Sequence, residues 1–299
     1  MGPPVNATRP SELRAMLAER GIHPSRSLGQ NFLVDANIVR IIAEAAGAGS
    51  GDTVLEIGPG AGALTEALLA GAGRVIAVEY DHRLAAWLRD RYAGESRLEL
   101  LEGDALAIGV PGLLARGCGI FASNLPYASG TRMLVEAMHA PMAPRRIVVT
   151  VQTEVADRLL AAPGDPAWGL LGLWTSRVYA AERIHRVPAR CFWPKPEVES
   201  CVVRLERLPT PRAEVDSVPR FVSVSRQLMG HRRKQLRRAL RDLPGGQDRW
   251  PASESASRWL ERIALDPTIR PESLTLDQWA VLSNALSDLP SADGGEPDA

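Results

Sequence analysis

Three glycines, Gly58, Gly60 and Gly62, follow directly on an apolar segment at residues 54–57, and a helical spacing of apolar residues begins at Ala63. This pattern predicts a buried strand that turns sharply into a helix, with glycines where the backbone must come close to a ligand. The first N–H groups of such a helix can bind polar ligand atoms. The same residues also fit a loose dinucleotide-binding pattern and an ordinary strand-to-helix turn. The turn alone therefore identifies no ligand.

A second predicted strand, residues 74–79, ends in Glu79, about 20 residues after the first glycine. A carboxylate at that spacing is placed to accept hydrogen bonds from ribose hydroxyls. The alternative is a solvated strand end or an acid at a helix N-terminus. Ribose recognition does not separate NAD from S-adenosylmethionine, because both carry adenosine. The two motifs together predict an adenosine-bearing ligand.

The segment Asn124-Leu125-Pro126-Tyr127 follows a third strand and suits chemistry on the exocyclic amine of adenine. The lone pair of that nitrogen is delocalised into the ring, so a site that accepts hydrogen bonds from both amine hydrogens favours attack on a methyl group. The Asn124 side-chain oxygen and the Leu125 carbonyl are suitable acceptors, and Tyr127 can stack on the base. No general base is needed, and the rate comes from aligning methyl donor and nitrogen. The plain alternative is a polar turn with a half-buried tyrosine.

Four candidate ligand-binding residues lie at the carboxyl ends of predicted strands: Gly58, Glu79, Asp104 and Asn124. The apolar spacing between the strands is helical, and this alternation is typical of an α/β protein with a mostly parallel, doubly wound sheet. Ligands of such sheets bind outside the carboxyl ends of the strands. We therefore expect the four residues to meet at one edge of the sheet.

The later part of the chain has weaker patterns. Residues 162–190 predict a loop-rich stretch, and the prolines within 191–196 exclude a central strand there. Residues 200–205 form the last predicted strand. After a proline-bearing linker at 208–219, an apolar stripe interrupted at Arg232 predicts a helical region.

The composition excludes several classes of protein. With 299 residues and 45% hydrophobic residues, the chain predicts one domain of about 200 residues and a smaller one. The net charge is zero, so only a local cluster of charges can favour nucleic acid. Cys118, Cys191 and Cys201 lack the spacing of a disulfide framework or zinc site, which predicts a reducing, intracellular setting and no metal. No secretory signal or membrane span is predicted.

Such a local cluster lies at residues 220–241, which contain eight Lys or Arg residues and no acid. Arg226, Arg233, Arg237 and Arg241 are spaced to share one helical face, and Lys234 lies beside them. A solvated basic face is the usual explanation of such a run. Next to a domain that acts on adenine, a contact with the RNA backbone is the better explanation of this run.

These motifs, in this order, resemble the ribosomal RNA adenine N6,N6-dimethyltransferase family over almost the whole chain. The resemblance is carried by Ser27-Leu28-Gly29-Gln30-Asn31-Phe32-Leu33, Glu56-Ile57-Gly58-Pro59-Gly60, Gly103-Asp104, Asn124-Leu125-Pro126-Tyr127, Val151-Gln152-Thr153-Glu154-Val155-Ala156-Asp157-Arg158-Leu159 and Phe192-Trp193-Pro194-Lys195-Pro196-Glu197-Val198-Glu199-Ser200. Two positions depart from the family's pattern: Ala128-Ser129-Gly130 replaces the common Asn-Ile-Ser, and Trp168 stands where Tyr is frequent.

The resemblance implies a Rossmann-like S-adenosylmethionine-dependent methyltransferase domain at 1–207, which includes an N-terminal leader. It is followed by the linker at 208–219, a small all-helical RNA-contacting domain at 220–289 and a disordered tail at 290–299. Tyr127 and Phe192 would bracket the target adenine, with Asn124, Leu125 and Pro126 beside them. The positions implied for the methyl donor are Gln30, Asn31, Leu33, Gly58, Gly60, Glu79, Asp104 and Asn124.

The expected activity is dimethylation of the N6 amine of two adjacent adenosines near the 3′ end of small-subunit rRNA, by a cytoplasmic, monomeric enzyme without a metal. Two alternatives remain: a large-subunit rRNA methyltransferase of the macrolide-resistance type, and a non-enzymatic relative that binds nucleic acid. A dinucleotide oxidoreductase finds no support after Glu79.

Overall fold

The computed structural model describes residues 6–24, 29–243 and 255–286. The expected disordered tail at 290–299 lies outside these ranges. The chain divides into two compact units. The larger one comprises the residues up to Asp157 together with Ala180–Arg207, and the smaller one comprises Arg158–Tyr179 together with the described residues from Leu208 onward. The segment Arg158–Tyr179 thus belongs to the smaller unit, although the sequence pattern placed it in the first domain.

The described residues form two sheets. Their strands are β1 (Phe32–Leu33), β2 (Thr53–Ile57), β3 (Arg74–Glu79), β4 (Leu98–Glu102), β5 (Cys118–Asn124), β6 (Arg146–Gln152), β7 (Tyr179–Val187), β8 (Phe192–Trp193) and β9 (Ser200–Arg207). The main sheet has the order β4-β3-β2-β5-β6-β9-β7, and β1 pairs with β8 in a small antiparallel sheet.

The main sheet is mostly parallel, as predicted. Strands β4, β3, β2, β5 and β6 run parallel, and β9 is antiparallel to β6. From β2 the chain proceeds to β3 and β4 on one side and then crosses to β5 on the other side of β2. Such a reversal of strand order opens a crevice at the carboxyl ends of the two strands, where open α/β sheets bind ligands. The fold therefore places its crevice between the glycine turn after β2 and Asn124 at the end of β5.

Helices alternate with these strands. They are α1 (Pro10–Glu19), α2 (Ala36–Ala46), α3 (Ala63–Leu69), α4 (His82–Arg91), α5 (Ala105–Ile108), α6 (Val110–Leu114), α7 (Gly130–His139) and α8 (Thr153–Leu160). Val54 and Val75 pack with α2 and α3 in one cluster, and the alternate residues Leu55 and Ile76 are also fully buried. Both faces of the sheet are therefore covered, as parallel sheets require.

Helix α2 has a defined start that fixes the segment before it. The Asp35 side chain accepts hydrogen bonds from the backbone N–H groups of Asn37 and Ile38 at 2.9 and 3.2 Å, which is the usual cap of a helix N-terminus. Gly47, in the left-handed conformation, ends the helix. The cap and the pairing of β1 with β8 hold residues 29–33 at the carboxyl edge of the sheet.

The smaller unit is helical, as predicted. Its helices are α9 (Leu170–Val178), α10 (Val218–Gly230), α11 (Leu236–Arg241), α12 (Ala256–Arg262) and α13 (Leu276–Ala285). The predicted apolar stripe is buried, with Phe221, Leu228 and Leu236 each at most 1% exposed. Trp259 and Trp279 of the two later helices are buried to the same extent. Within the described ranges, no helix is long and apolar enough to cross a bilayer.

The prediction of a loop-rich stretch at 162–190 is wrong, because α9 and β7 lie there. Helix α9 buries Leu171, Leu173 and Trp174 on several sides, so it lacks the polar face that makes a helix visible in a sequence. Strand β7 is an edge strand in which charged residues interrupt any alternation. The two-residue strands β1 and β8 were not predicted either, since strands of that length have no period.

Candidate active site

A cavity of about 330 Å³ lies at the crevice between β2 and β5, within the range of roughly 300–1,000 Å³ usual for small-molecule sites. Every predicted donor and target residue of the larger unit lines this cavity except Phe192. The lining residues that the sequence predicted are Gln30, Asn31, Leu33, Gly58, Gly60, Glu79, Asp104, Asn124, Leu125, Pro126 and Tyr127. The cavity thus brings together residues from five separate segments of the sequence.

The glycine turn and Glu79 are tied to each other by hydrogen bonds. The backbone N–H of Gly60 donates to Glu79 Oε2 at 2.9 Å, and the N–H of Asp81 donates to Oε1 at 2.9 Å. Gly60 has a φ of +59°, and a Cβ there would lie 3.1 Å from the ring of Phe32. Glycine is therefore required at this position, and the Glu79 carboxylate is held in one orientation.

Burial governs the ionisation of Glu79. The side chain is 4% exposed, and this burial raises the pKa of Glu79, while the hydrogen bonds from Asp81 and Gly60 act in the opposite direction. A carboxylate accepts about four hydrogen bonds, so the bonds from the backbone of Gly60 and Asp81 leave acceptor capacity on Glu79. The group can therefore still accept a hydrogen bond from a ligand hydroxyl.

Glu56 is a second buried carboxyl group in the cavity wall, and it was not among the predicted site residues. It is 1% exposed, and the Thr65 hydroxyl donates to its Oε2 at 2.7 Å. Burial raises the pKa of Glu56 to about 8, and the nearby charge of Glu79 acts in the same direction. In the sequence it stands two residues before Gly58, in a segment that carries the family resemblance, but this position does not tell which face of the strand is buried.

Asn124 is fixed by one hydrogen bond and keeps an acceptor without a partner. Its Nδ2 donates to the backbone carbonyl of Asn31 at 3.0 Å. Because a carbonyl can only accept, this contact also defines which side-chain atom is the nitrogen. The remaining atom, Oδ1, is buried and has no hydrogen-bond partner. Unpaired buried acceptors are rare and costly, so this one requires an explanation.

Leu125 and Tyr127, which follow Asn124 in the chain, also line the cavity. Within the described residues, no backbone N–H donates to the carbonyl of Leu125, so the second predicted acceptor is also unpaired. The Tyr127 hydroxyl lies 2.5 Å from Ser200 Oγ, and burial raises the pKa of Tyr127. The Leu125 side chain is 2% exposed and packs in the core.

Phe192 is not placed as the sequence predicted. It is 3% exposed within the core cluster, and its ring meets that of Tyr127 edge-on, with centroids 6.5 Å apart and planes at 69°. Two aromatic rings that sandwich a base must be nearly parallel, so the two rings form no such slot in this structure. A contact of Phe192 with the target adenine stays a prediction.

Asp104 has a structural role besides its place in the cavity wall. Its Oδ1 accepts the backbone N–H of Leu106 at 2.9 Å and caps α5. The helix cap that was the alternative explanation of this residue is therefore present, and recognition of the donor's adenine amine by Asp104 stays a prediction.

Aromatic residues of α4 and its end support the glycine turn from outside the cavity. The indole N–H of Trp87 donates to the carbonyl of Ala61 at 3.3 Å, and the Tyr92 hydroxyl donates to the carbonyl of Gly62 at 2.9 Å. Tyr80 lines the cavity itself with a ring that is 60% exposed. None of the three was predicted, because their roles depend on tertiary contacts.

The basic residues of the smaller unit do not form the predicted surface. Arg226 lies on α10, whereas Arg237 and Arg241 lie on α11, and a turn that contains Arg233 separates the two helices. The prediction that these four arginines share one helical face is wrong, because α10 ends at Gly230.

The structure has a basic cleft instead of the predicted helical face. It is formed by the turn that contains Arg233, by α11 and by residues 268–270. Its lining residues are Arg233, Lys234, Gln235, Arg238, Arg241, Asp242, Thr268 and Arg270. Of the predicted set, Arg226 lies over the ring of Trp174 at 5.6 Å and Arg237 hydrogen-bonds Gln235, so neither lines the cleft.

The charges of the cleft are only partly compensated. Lys234 pairs with Asp242 at 2.5 Å. In the part of the chain that the structure describes, no carboxylate forms an ion pair with Arg233, Arg238 or Arg241. The cleft therefore presents a net positive charge that suits a polyanion.

The sheet is mostly parallel, and its cavity lies at the strand-order reversal with a fixed carboxylate and unpaired acceptors in its wall. This is the arrangement of a Rossmann-like methyltransferase. Residues 23–262 match the model of the family described as ribosomal RNA adenine dimethylase. The chain belongs to this family.

A relative agrees with that assignment, and two solved structures share the fold. The chain is 38% identical to a ribosomal RNA small subunit methyltransferase A of Moorella thermoacetica, over 93% of this chain and 97% of the relative. The fold is similar to that of a dimethyladenosine transferase from Plasmodium falciparum (TM-score 0.67, 24% identity, 83% and 93% coverage). It is also similar to that of the 23S rRNA methyltransferase ErmE (TM-score 0.59, 25% identity, 86% and 100% coverage).

The buried carboxyl of Glu56 predicts a pH dependence of stability. Because its pKa rises from 4.5 to about 8 on folding, the folded state keeps a proton that the unfolded chain releases above pH 4.5. The stability from this proton is complete below that pH and is lost as the pH rises through about 8. Glu56→Gln cannot ionise, so we expect its free energy of unfolding to exceed that of the wild type increasingly over this window, by at most about 1.4 kcal/mol per pH unit.

Urea denaturation at several pH values measures this difference. Glu44→Gln, which removes an exposed carboxyl of α2, is the matched control, and we expect it to follow the wild-type profile. Parallel profiles for the wild type and Glu56→Gln would contradict the assignment of a neutral, buried Glu56.

Proposed function

We propose that this protein transfers methyl groups from S-adenosylmethionine to the N6 amine of two adjacent adenosines near the 3′ end of small-subunit rRNA, giving N6,N6-dimethyladenosine during ribosome biogenesis. Membership of the ribosomal RNA adenine dimethylase family and the name of the 38% identical relative support the reaction and the subunit. The observation that best supports methyl transfer to an amine is the buried Oδ1 of Asn124, which has no hydrogen-bond partner.

The cavity suits the methyl donor. Its two adenosine contacts would be Glu79 with the ribose hydroxyls and Asp104 with the adenine amine, while Gly60 allows the close approach of the backbone. Gln30, Asn31 and Leu33 would close the cavity from the side of β1. The donor supplies an electrophilic methyl group on a sulfonium, and the protein's part is to align it.

The unpaired acceptors suit the target amine. An adenine N6 amine placed between Asn124 Oδ1 and the Leu125 carbonyl gives each acceptor one hydrogen bond and turns the nitrogen lone pair towards the donor. Tyr127 would stack on the base, a contact worth about 1–3 kcal/mol. The adenosine must be unpaired or flipped out of its helix to reach this position.

The same arrangement permits a second transfer to one nitrogen. After the first methyl group is added, one amine hydrogen is lost, and one protein acceptor loses its hydrogen bond. No donor is left unpaired, because the protein contributes only acceptors here. The site therefore holds the monomethylated base at a modest cost, and dimethylation follows.

Asn124→Ala should lower the rate of methyl transfer by about 100-fold or more, since it removes an acceptor that acts on the reacting amine. Donor binding, measured by calorimetry with S-adenosylmethionine, should change far less. Asn37→Ala, an exposed asparagine of α2, is the control and should have the wild-type rate. Near-normal turnover of Asn124→Ala would remove this residue from the mechanism.

The choice of subunit distinguishes the proposed function from its alternatives. We expect labelled N6,N6-dimethyladenosine when unmethylated small subunits or their precursors are offered with labelled donor, and little product on large subunits. Mass spectrometry of the nucleosides reads the outcome. Label confined to the large subunit would favour the activity that the name of ErmE describes, and label on neither would favour a non-enzymatic relative.

The basic cleft of the smaller unit is proposed to contact RNA phosphates. Arg233 and Arg238 have no ion-pair partner among the described residues, so a phosphate can bind them without competition. Arg233→Glu with Arg238→Glu should weaken RNA binding and reduce its dependence on salt by roughly 0.7–0.9 in logarithmic slope per lost contact. Donor binding should be unchanged.

Arg258→Glu is the control for that variant, because Arg258 is an exposed arginine of α12 outside the cleft. An RNA affinity of the double variant that equals the wild type across a salt titration would contradict the contact. The cytoplasmic location and monomeric state expected from the sequence remain predictions.

A further inference from the structure

One hydrogen bond connects the target side of the cavity to a distant strand. The Tyr127 hydroxyl lies 2.5 Å from Ser200 Oγ. Tyr127 belongs to the loop after β5, whereas Ser200 is the first residue of β9, and β6 lies between these strands in the sheet. Ser200 is 0% exposed, so its hydroxyl has no access to solvent and the phenol is its partner.

The Ser200 end of this bond is rigid. Ser200 pairs with Gln152 of β6 in the antiparallel register. The carbonyl of the preceding residue, Glu199, accepts hydrogen bonds from both the backbone N–H and the hydroxyl of Thr153, each at 3.0 Å. Backbone bonds thus fix Ser200 on both sides, and its hydroxyl is a fixed point.

The same sheet carries Asn124. Asn124 pairs with Thr150 of β6, two residues before the Gln152 that pairs with Ser200. The backbones of Asn124 and Ser200 are therefore held in register with each other by the hydrogen bonds of three adjacent strands.

The backbone of Tyr127 lies close to that of Gly29. A Cβ on Gly29 would lie 3.0 Å from the Tyr127 backbone nitrogen, so a side chain at position 29 would collide with this loop. Phe192 touches the ring only at its edge. The hydroxyl contact with Ser200 is thus the polar restraint on the tilt of the ring.

We propose that Ser200 is a positioning residue for methyl transfer: its hydroxyl holds the Tyr127 ring at the tilt that stacks the target adenine with N6 against Asn124 Oδ1. The inference rests on the proposed function, because it assigns Tyr127 to the target base. A ring that tilts freely still binds the base but places N6 less often in line with the methyl group. The loss therefore falls on the rate of transfer and not on donor affinity.

A double-mutant cycle tests this role. Ser200→Ala, Tyr127→Phe and the double variant are compared in single-turnover methyl transfer to unmethylated small subunits at saturating donor. Each single variant should lower the rate by about 3- to 10-fold, the loss expected for one hydrogen bond. The double variant should be no slower than either single variant, because both substitutions remove the same bond. The Kd of the donor should be unchanged in all three.

Ser225→Ala is the matched control. Ser225 is also 0% exposed, and its hydroxyl accepts a hydrogen bond from the indole N–H of Trp174 at 2.9 Å, within the smaller unit. This variant should lower the melting temperature without lowering the rate of transfer, which separates a loss of packing from a loss of positioning.

Three results would overturn the inference: a wild-type rate in Ser200→Ala, a wild-type rate in Tyr127→Phe, or rate losses that multiply in the double variant. Tyr127→Phe breaks the bond while keeping Ser200, so it decides the matter even if Ser200→Ala does not fold. A wild-type protein that methylates no small subunit would instead contradict the proposed function, and the inference with it.

Discussion

The parallel pairing of β2 with β5 is the interaction on which the rest of the site depends. It places the glycine turn after Ile57 beside Asn124, and the Ser123 hydroxyl donates to the Ile57 carbonyl across the two strands. On one side of this pair, β3 delivers Glu79. On the other, β6 and β9 deliver Ser200. Glu79 and Asn124 are thus separated along the sheet but line one cavity at its edge.

The site concentrates polar groups where water is excluded. Glu56 and Glu79 are almost fully buried carboxyls, and Asn124 Oδ1 is a buried acceptor without a partner. The unpaired Asn124 Oδ1 is unfavourable in the free protein, since an unsatisfied buried polar group costs about 1–3 kcal/mol. The two carboxyls do have donors, because Thr65 donates to Glu56 and the backbone of Gly60 and Asp81 donates to Glu79. In the proposed reaction the target amine supplies the hydrogen bond that Asn124 Oδ1 lacks, in a site that is oriented before its ligands arrive.

The sequence predicted the parts of the site that follow from local pattern. The glycine turn, Glu79 and Asn124 were placed correctly, because apolar strands alternating with helices define where the carboxyl ends of a parallel sheet lie. It did not predict the bond between Tyr127 and Ser200 or the support of the turn by Trp87, because these need the order of the strands. The basic residues were found but assigned to one helix face, although Gly230 and the interruption of the apolar stripe at Arg232 are local signs of the helix end. Helix α9 was missed because burial on several sides removes its polar face.

The proposed reaction requires Asn124 Oδ1 and the Leu125 carbonyl to accept the two hydrogens of the target amine. A cryo-EM structure of the protein on an unmethylated small subunit with an unreactive donor analogue would test this arrangement. We expect a flipped adenine whose N6 lies about 2.7–3.2 Å from both oxygens, with its face on Tyr127. An adenine whose N6 faces away from these oxygens, or an Asn124 Oδ1 bonded to another protein group, would contradict it.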